Sequence, residues 1–148
     1  NKRQKTRLFE KAKERMISFS GLKVAVLGLT FKAGTDDLRE APSSENIKLL
    51  LSKGADIYAY DPAGVPRAKM EFPEGSIDKG TMTYVSTPKE ALEGANICFV
   101  FTEWGEIKAV RPEDYVKYMR TPLVYDGRNI YSVEDMKAAG VEYYSIGR

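Results

Sequence analysis

The stretch from residue 22 to residue 43 constrains the fold of this chain more than any other. It opens with an apolar, valine-rich run at residues 22–27, which Gly28 ends. A short apolar run bounded by glycine favours a buried parallel strand over a helix. A charged loop follows, and then Pro42 with two serines, which are good residues for the start of a helix. In an open α/β sheet, ligands bind at the carboxyl ends of strands, where this loop is expected to lie.

The loop differs from the dinucleotide-binding fingerprint G-x-G-x-x-G, because the next glycine after Gly28 is Gly34. Phe31 and Lys32 instead place a flat apolar ring beside a long cation, a pair that suits a base or a sugar next to a phosphate. A solvated loop with Phe31 packed into the core is the alternative, and these residues alone leave both interpretations open.

Strand and helix patterns alternate along the rest of the chain. We predict strands at residues 22–27, 57–60, 82–85, 97–102, 123–126 and 143–146, with helices between them and an irregular connection with one helical turn at residues 62–82. This alternation predicts an α/β fold, a Rossmann-like three-layer αβα sandwich with a mostly parallel sheet, preceded by an N-terminal helix.

Right-handed crossovers would bring the carboxyl ends of the first, fourth and fifth predicted strands together. Lys32, Trp104 and Arg128 follow those ends and are predicted to line one crevice. Two cations near an aromatic ring outline a nucleotide diphosphate site. Trp104 has the alternative role of covering an edge of the core. Asp61 follows the second strand, and because Pro62 comes next we expect it to form a turn rather than to bind a ribose.

Residues 1–18 have the pattern of an amphipathic helix. Its opposite face carries seven basic residues against two glutamates. Such a face can bind nucleic acid or a membrane surface, but a solvated face on a packed helix is the preferred interpretation. The predicted apolar stripe consists of Leu8, Phe9, Ala12, Met16 and Phe19.

Composition excludes several classes of protein. With 148 residues the chain is one domain, or one domain with an appendage. A formal net charge of +2 is too small to indicate a polyanion partner. One cysteine and no histidine exclude an internal disulfide and a Cys/His zinc site, and Cys98 is expected to be a small apolar filler. Without an apolar run long enough to span a membrane, we expect a cytoplasmic protein that binds neither membrane nor nucleic acid.

Three segments resemble a known family in the right order. They are GLTFKAGTDDLREAPS at residues 28–43, VYDGRNI at residues 124–130 and EYYSIGR at residues 142–148. They are similar to segments of the C-terminal domain of nucleotide-sugar dehydrogenases, the UDP-glucose/GDP-mannose dehydrogenase family, and the resemblance covers the whole chain. The last two segments favour the UDP-glucose 6-dehydrogenase branch over GDP-mannose dehydrogenases.

The resemblance implies roles for individual residues. Phe31, Lys32 and Arg128 match family positions that contact the UDP-sugar, and Arg39 matches one that reaches NAD held by the N-terminal domain. The enzymes of this branch oxidise UDP-glucose to UDP-glucuronate with two NAD. Their glycine-rich NAD loop and cysteine motif do not occur in this chain, so no catalytic residue is assigned and the chain alone is expected to be inactive.

The resemblance also implies a domain organisation. Residues 1–20 match the tail of a linking helix and residues 21–148 the UDP-sugar-binding domain, so we expect the chain to be part of a longer protein. Its expected partners are the N-terminal NAD-binding and central domains of the same enzyme and a second copy in a homodimer. The same domain of a GDP-mannose or UDP-N-acetylmannosamine dehydrogenase, a free-standing nucleotide-binding module and a nucleic-acid adaptor are the alternatives.

Overall fold

The strands of the chain form one mixed sheet. The computed structural model describes the backbone of residues 2–148 and the side chains from residue 4 onward. Within this part, seven strands lie in the order β3-β4-β2-β1-β5-β6-β7, and every neighbouring pair is parallel except β3 and β4. The strands are β1 Lys23–Leu27, β2 Asp56–Tyr60, β3 Gly75–Ile77, β4 Gly80–Tyr84, β5 Ile97–Val100, β6 Leu123–Asp126 and β7 Glu142–Ser145.

Helices cover both faces of the sheet. The second, third and fourth helices pack with residues such as Val24, Val26 and Phe99 on one face, and the last four pack with residues such as Ala25 and Val100 on the other. The predicted three-layer αβα sandwich is therefore confirmed. The helices are α1 Lys2–Lys5, α2 Arg7–Arg15, α3 Pro42–Ser52, α4 Val65–Glu71, α5 Pro88–Leu92, α6 Gly105–Lys108, α7 Pro112–Tyr118 and α8 Val133–Ala139.

The register of the sheet aligns five strand ends. Leu27 at the end of β1 pairs with Tyr60 of β2 and with Val100 of β5, and Asp126 of β6 pairs with Val100 and with Ser145 of β7. The segments that follow these strands therefore lie side by side, and we call them together the carboxyl edge. The predicted meeting of the ends of β1, β5 and β6 is confirmed.

The first helix differs from its prediction. It is broken at Thr6 into α1 and α2 and ends at Arg15, while Asn1 lies outside the described residues. The break has a physical cause, because the buried amide of Asn46 stands between Lys5 and Phe9. It donates to the Lys5 carbonyl (2.6 Å) and accepts from the Phe9 N–H (3.0 Å), two groups that an unbroken helix would join. The predicted apolar stripe still packs into the core, with Met16 only partly buried.

The connection at residues 62–82 was predicted wrongly. It contains the two-turn helix α4 and the strand β3, which forms a hairpin with β4, the strand predicted at residues 82–85. Asp78 adopts a left-handed conformation (φ 56°) at the hairpin turn, which an aspartate tolerates. β3 has three residues and begins with glycine, so it carries no alternating pattern that the sequence could reveal.

Candidate functional site

At the start of the carboxyl edge, the backbone of Gly28 lies very close to Thr102. Its φ is +94°, and a Cβ atom at this position would lie 2.5 Å from the Thr102 side chain. The Thr102 hydroxyl donates to the Thr30 carbonyl (2.7 Å). Glycine is required here because it combines a positive φ with no side chain, so the loop after β1 can run against the end of β5.

A buried carboxylate organises the turn after β1. Asp61 accepts hydrogen bonds through one oxygen from the N–H groups of Ala63 (2.9 Å) and Gly64 (2.7 Å), as expected for a turn-forming aspartate. Its other oxygen accepts from the N–H groups of Leu29 (2.7 Å) and Thr30 (3.1 Å). Because the carboxylate already binds these donors, the β1 turn does not fit the pyrophosphate of a dinucleotide.

Trp104 is held by its indole N–H. Nε1 donates to the Thr30 hydroxyl (3.0 Å) and to the Asp61 carboxylate (3.2 Å), and the ring is partly buried against the core. The structure therefore shows the core-covering role of Trp104. A contact between its exposed part and a substrate stays a prediction.

Phe31 and Lys32 project from the same loop into solvent. Phe31 is 48% exposed, so the alternative that it packs into the core is wrong. The Phe31 N–H donates to the Asp37 carbonyl (2.9 Å), and the Lys32 carbonyl accepts from the Thr30 hydroxyl (3.0 Å). The backbone of the loop is thus fixed while both side chains are exposed.

Arg128 is linked to the β1 loop through Glu103, a residue that the sequence analysis did not single out. The Arg128 Nε donates to one Glu103 oxygen, and the Ala33 N–H donates to the other (3.2 Å). Burial acts to raise the pKa of Glu103, but the hydrogen bond from Ala33 and the charge and hydrogen bond of Arg128 outweigh it and lower the pKa. The sequence signal that could have identified Glu103 is an acidic residue just after β5, because β5 lies between the two strands that lead into the loops of Lys32 and Arg128.

Two of the segments that carry the family resemblance form one unit. The buried Asp126 carboxylate accepts from the N–H groups of Arg128 and Ile130 (both 2.8 Å) and from the Tyr143 hydroxyl (2.6 Å). Asn129, at φ 54°, exchanges two hydrogen bonds with the backbone of Ile146 (2.8 and 2.9 Å). The turn that presents Arg128 is therefore held by the end of β6 and by the segment after β7.

A cleft of about 160 Å³ opens beside this turn. Lys5, Arg7 and Arg128 give it a basic rim, although Lys5 also pairs with Glu40 (2.7 Å). The sequence predicted Arg128 in a site but assigned Lys5 and Arg7 to a solvated helix face, because nothing in the helical pattern tells which end of the sheet the helix reaches. The cleft is lined by Gln4, Lys5, Arg7, Leu8, Pro42, Phe101, Gly127, Arg128 and Ile146.

Arg39 lies apart from this cleft. Its guanidinium makes a two-pronged contact with Asp37 (3.0 and 3.1 Å), and its side chain is 89% exposed. The hydrogen bonds and charge of Arg39 lower the pKa of Asp37 to about 2. The pair lines a separate polar depression with Thr35, Asp36 and Arg67. An exposed arginine here suits an anion that approaches from outside the domain.

No group of histidine, cysteine, aspartate or glutamate side chains in the described part of the chain is arranged to hold a metal ion. Within the same residues, no helix has the length and apolar character needed to cross a membrane.

Comparison with known proteins gives one consistent result. Residues 25–133 match the model of the UDP-glucose/GDP-mannose dehydrogenase family, UDP binding domain. UDP-glucose 6-dehydrogenase YwqF of Bacillus subtilis is 41% identical over 148 residues, which cover all of this chain and 32% of that protein. The chain spans about a third of the length of the curated relatives it matches.

Solved structures agree with this match. A UDP-D-ManNAc dehydrogenase from Pyrococcus horikoshii aligns with a TM-score of 0.74 and 28% identity, over all of this chain and 32% of that one. A UDP-glucose dehydrogenase from Pyrobaculum islandicum aligns with a TM-score of 0.73 and 30% identity, over 95% of this chain and 29% of that one. This chain therefore belongs to the UDP-glucose/GDP-mannose dehydrogenase family and contains its UDP binding domain.

Proposed function

We propose that the chain binds the UDP-sugar of a UDP-glucose 6-dehydrogenase through Phe31, Lys32 and Arg128, with Trp104 at the side of the site. One observation carries this proposal: Glu103 ties the turn bearing Arg128 to the loop bearing Lys32. Two long cations on neighbouring, fixed segments suit a diphosphate, and the exposed Phe31 ring suits a base or a sugar.

The whole enzyme would oxidise UDP-glucose to UDP-glucuronate with two NAD. In this proposal residues 1–20 end the linking helix, residues 21–148 form the UDP-sugar domain, and the enzyme is a homodimer. NAD would be held mainly by a domain outside this chain, with Arg39 reaching it. The occupied β1 turn supports this division, since Asp61 binds the N–H groups that a pyrophosphate would need.

We assign no catalytic residue to this chain. Cys98 is fully buried in β5, and burial together with Asp126 raises the pKa of its thiol. A nucleophilic cysteine needs access and a lowered pKa, so Cys98 lacks both properties. The purified chain should produce no NADH from NAD and UDP-glucose.

The choice of sugar is supported by the relatives named as UDP-glucose 6-dehydrogenases, at up to 41% identity. Another sugar nucleotide is the alternative, because the family also includes GDP-mannose dehydrogenases and one structural neighbour is named for UDP-D-ManNAc. The nucleic-acid alternative has less support, because two of the basic residues on α2 are used within the chain. Lys11 donates to the Ser145 carbonyl (3.1 Å), and Arg15 pairs with Glu142 (2.8 Å).

Isothermal titration of the purified chain with UDP, UDP-glucose, GDP-mannose and NAD tests the proposal. We expect binding of UDP and UDP-glucose, weaker binding of GDP-mannose and none of NAD. Equal or tighter binding of GDP-mannose would transfer the assignment to the GDP-mannose branch. Failure of every uridine nucleotide to bind would overturn the site.

A further inference from the structure

Glu103 sits where the sheet order places a residue between two loops. β5 lies between β1 and β6, so the segment after β5 is flanked by the segments that carry Lys32 and Arg128. One Glu103 oxygen accepts from the Ala33 N–H (3.2 Å) and the other from the Arg128 Nε. The backbone N–H thus anchors the carboxylate, and the carboxylate in turn holds the guanidinium.

This arrangement requires a carboxylate. Both groups that face Glu103 are donors, and an ionised carboxylate has two accepting oxygens. A glutamine has the same shape but only one accepting oxygen, so its NH₂ group would face one of the two donors. Aspartate keeps both oxygens on a shorter side chain, which cannot reach both partners at once.

The contact leaves most of the arginine available. Glu103 accepts a hydrogen bond from the Nε of Arg128, and within residues 4–148 the Arg128 side chain makes no other hydrogen bond. The Arg128 side chain is 46% exposed, whereas the Glu103 side chain is 26% exposed. Glu103 therefore orients Arg128 through Nε, and within residues 4–148 the two Nη groups donate no hydrogen bond.

We propose that Glu103 is a positioning residue for the UDP-sugar, which holds Arg128 in the orientation that receives the diphosphate without itself contacting the ligand. This inference rests on the proposed function, because it deepens the same site. A free arginine loses side-chain entropy when a ligand fixes it, and Glu103 has already removed part of that freedom.

Two effects of Glu103 on binding oppose one another. Ordering of Arg128 favours the ligand, while the carboxylate charge repels a phosphate. Salt screens the longer-range repulsion of a phosphate more than the direct contact between Glu103 and Arg128, since the Debye length falls to roughly 3 Å near 1 M salt. At high ionic strength the loss of ordering should dominate, so Glu103→Gln should weaken UDP binding. The expected factor is about 3- to 10-fold, which corresponds to the cost of immobilising one flexible side chain on binding.

The test is a chemical-shift titration of the 148-residue chain with UDP at high salt. The proteins are wild type, Glu103→Gln, Arg128→Met, the double variant and, as a matched control, Glu106→Gln, which removes an exposed neighbouring carboxylate. We expect the loss in Glu103→Gln to vanish in the Arg128→Met background and the control to bind like wild type. An unchanged affinity of Glu103→Gln, or the same loss in both backgrounds, overturns the inference while the proposed function stands.

A measurement without ligand tests directly whether Glu103 contacts Arg128 in solution. The Glu103 carboxyl pKa, followed by NMR, should rise when Arg128 is replaced by methionine, and no change would overturn the inference. Should Glu103→Gln fail to fold, Glu103→Asp takes its place with the same expected direction. If the wild-type chain does not bind UDP, both the proposed function and the positioning role fail. If wild type binds UDP and Glu103→Gln binds it with the same affinity, only the positioning role fails.

Discussion

The Asp61 carboxylate accepts a hydrogen bond of 2.7 Å from the N–H of Leu29, the first residue after the Gly28 turn. In a dinucleotide-binding turn, N–H groups at this place face a pyrophosphate. Here the anion is part of the chain. The carboxyl edge has the architecture of a Rossmann-like unit, and in the function that we propose the anion binds further along this edge, at Arg128.

Asp61→Asn should strongly destabilise the domain. An amide can accept on one side only, so its NH₂ group would face either the N–H groups of Leu29 and Thr30 or those of Ala63 and Gly64. We expect the free energy of unfolding to fall by about 2–4 kcal/mol, measured by urea denaturation. The control is Asp78→Asn, at an exposed left-handed position where asparagine is favoured. Equal effects of the two substitutions would refute the role given to Asp61.

Much of the fold was predictable, for an identifiable reason. Strands such as β1 and β5 are buried on both faces, so they appear in the sequence as short apolar runs bounded by glycine or polar residues. Their alternation with helices implies a parallel sheet, and the handedness of the crossovers then aligns their ends.

The features that could not be predicted depend on contacts between residues that are far apart in the sequence. The helix break at Thr6 is caused by Asn46, which lies 37 positions from Phe9, and no local pattern records that contact. Glu103 was missed for the same reason, since its two partners lie 70 and 25 positions away. Local periodicity predicts elements, whereas a polar side chain acquires its role only when the sheet has brought its partners to it.

Asn46→Asp tests the cause of the helix break. At neutral pH the new carboxylate can still accept from the Phe9 N–H, but it faces the carbonyls of Lys5 and Pro42 without a proton to donate. The free energy of unfolding should fall by about 2–4 kcal/mol and partly recover at acidic pH, where protonation restores one donor. Asn96→Asp is the matched control, because among the described residues the Asn96 side chain uses only its oxygen, which accepts from the Lys23 N–H. It should change stability little.

Stability should also depend on pH through Glu142. Hydrogen bonds from Arg15 and Tyr144 lower its pKa in the folded state. The ionised pair therefore stabilises the fold above the unfolded pKa of about 4.3, and this stabilisation is lost as the pH falls through the lower folded pKa. Both side chains are more than a third exposed, so the contribution is about 0.5 kcal/mol after screening by solvent.

Urea denaturation of Glu142→Gln at a series of pH values measures this contribution. The variant should be less stable than wild type at neutral pH, and the difference should disappear in acid. Glu106→Gln, which removes an exposed carboxylate without an ion pair among the described residues, serves as the control. A difference between Glu142→Gln and wild type that persists at the lowest pH would show that shape rather than charge is responsible.

Arg39 should contribute to the binding of NAD and not to the binding of the UDP-sugar. It lies in a depression separate from the cleft beside Arg128, and Asp37 holds its guanidinium at the surface. In the longer dehydrogenase that we propose contains this chain, Arg39→Ala should raise the KM for NAD and leave the KM for UDP-glucose unchanged. Arg111→Ala removes another exposed arginine and should alter neither. An unchanged NAD value with a weakened UDP-glucose value would reverse the assignment.

Lys32 and Arg128 should each be needed for binding of the UDP-sugar. A UDP-sugar carries about two negative charges, and a charge-assisted hydrogen bond to it contributes roughly 1.5–3 kcal/mol. Replacing either residue by alanine should therefore weaken binding roughly 10- to 150-fold. Arg128→Lys should restore binding only in part, because an ammonium group cannot reproduce the planar fork.

A purely structural role for Arg128 makes a different prediction. The turn is held through the Arg128 backbone N–H, which donates to Asp126 (2.8 Å) and remains in Arg128→Ala, so this variant should keep most of its thermal stability. Melting curves of wild type, Lys32→Ala and Arg128→Ala with and without UDP-glucose separate the two roles. We expect both variants to melt near the wild-type temperature and to lose most of the rise that UDP-glucose causes. If Arg128→Ala melts earlier but keeps the full rise, Arg128 only steadies the turn, and the phosphates must be bound by other cations such as Lys5 and Arg7 on the rim of the cleft.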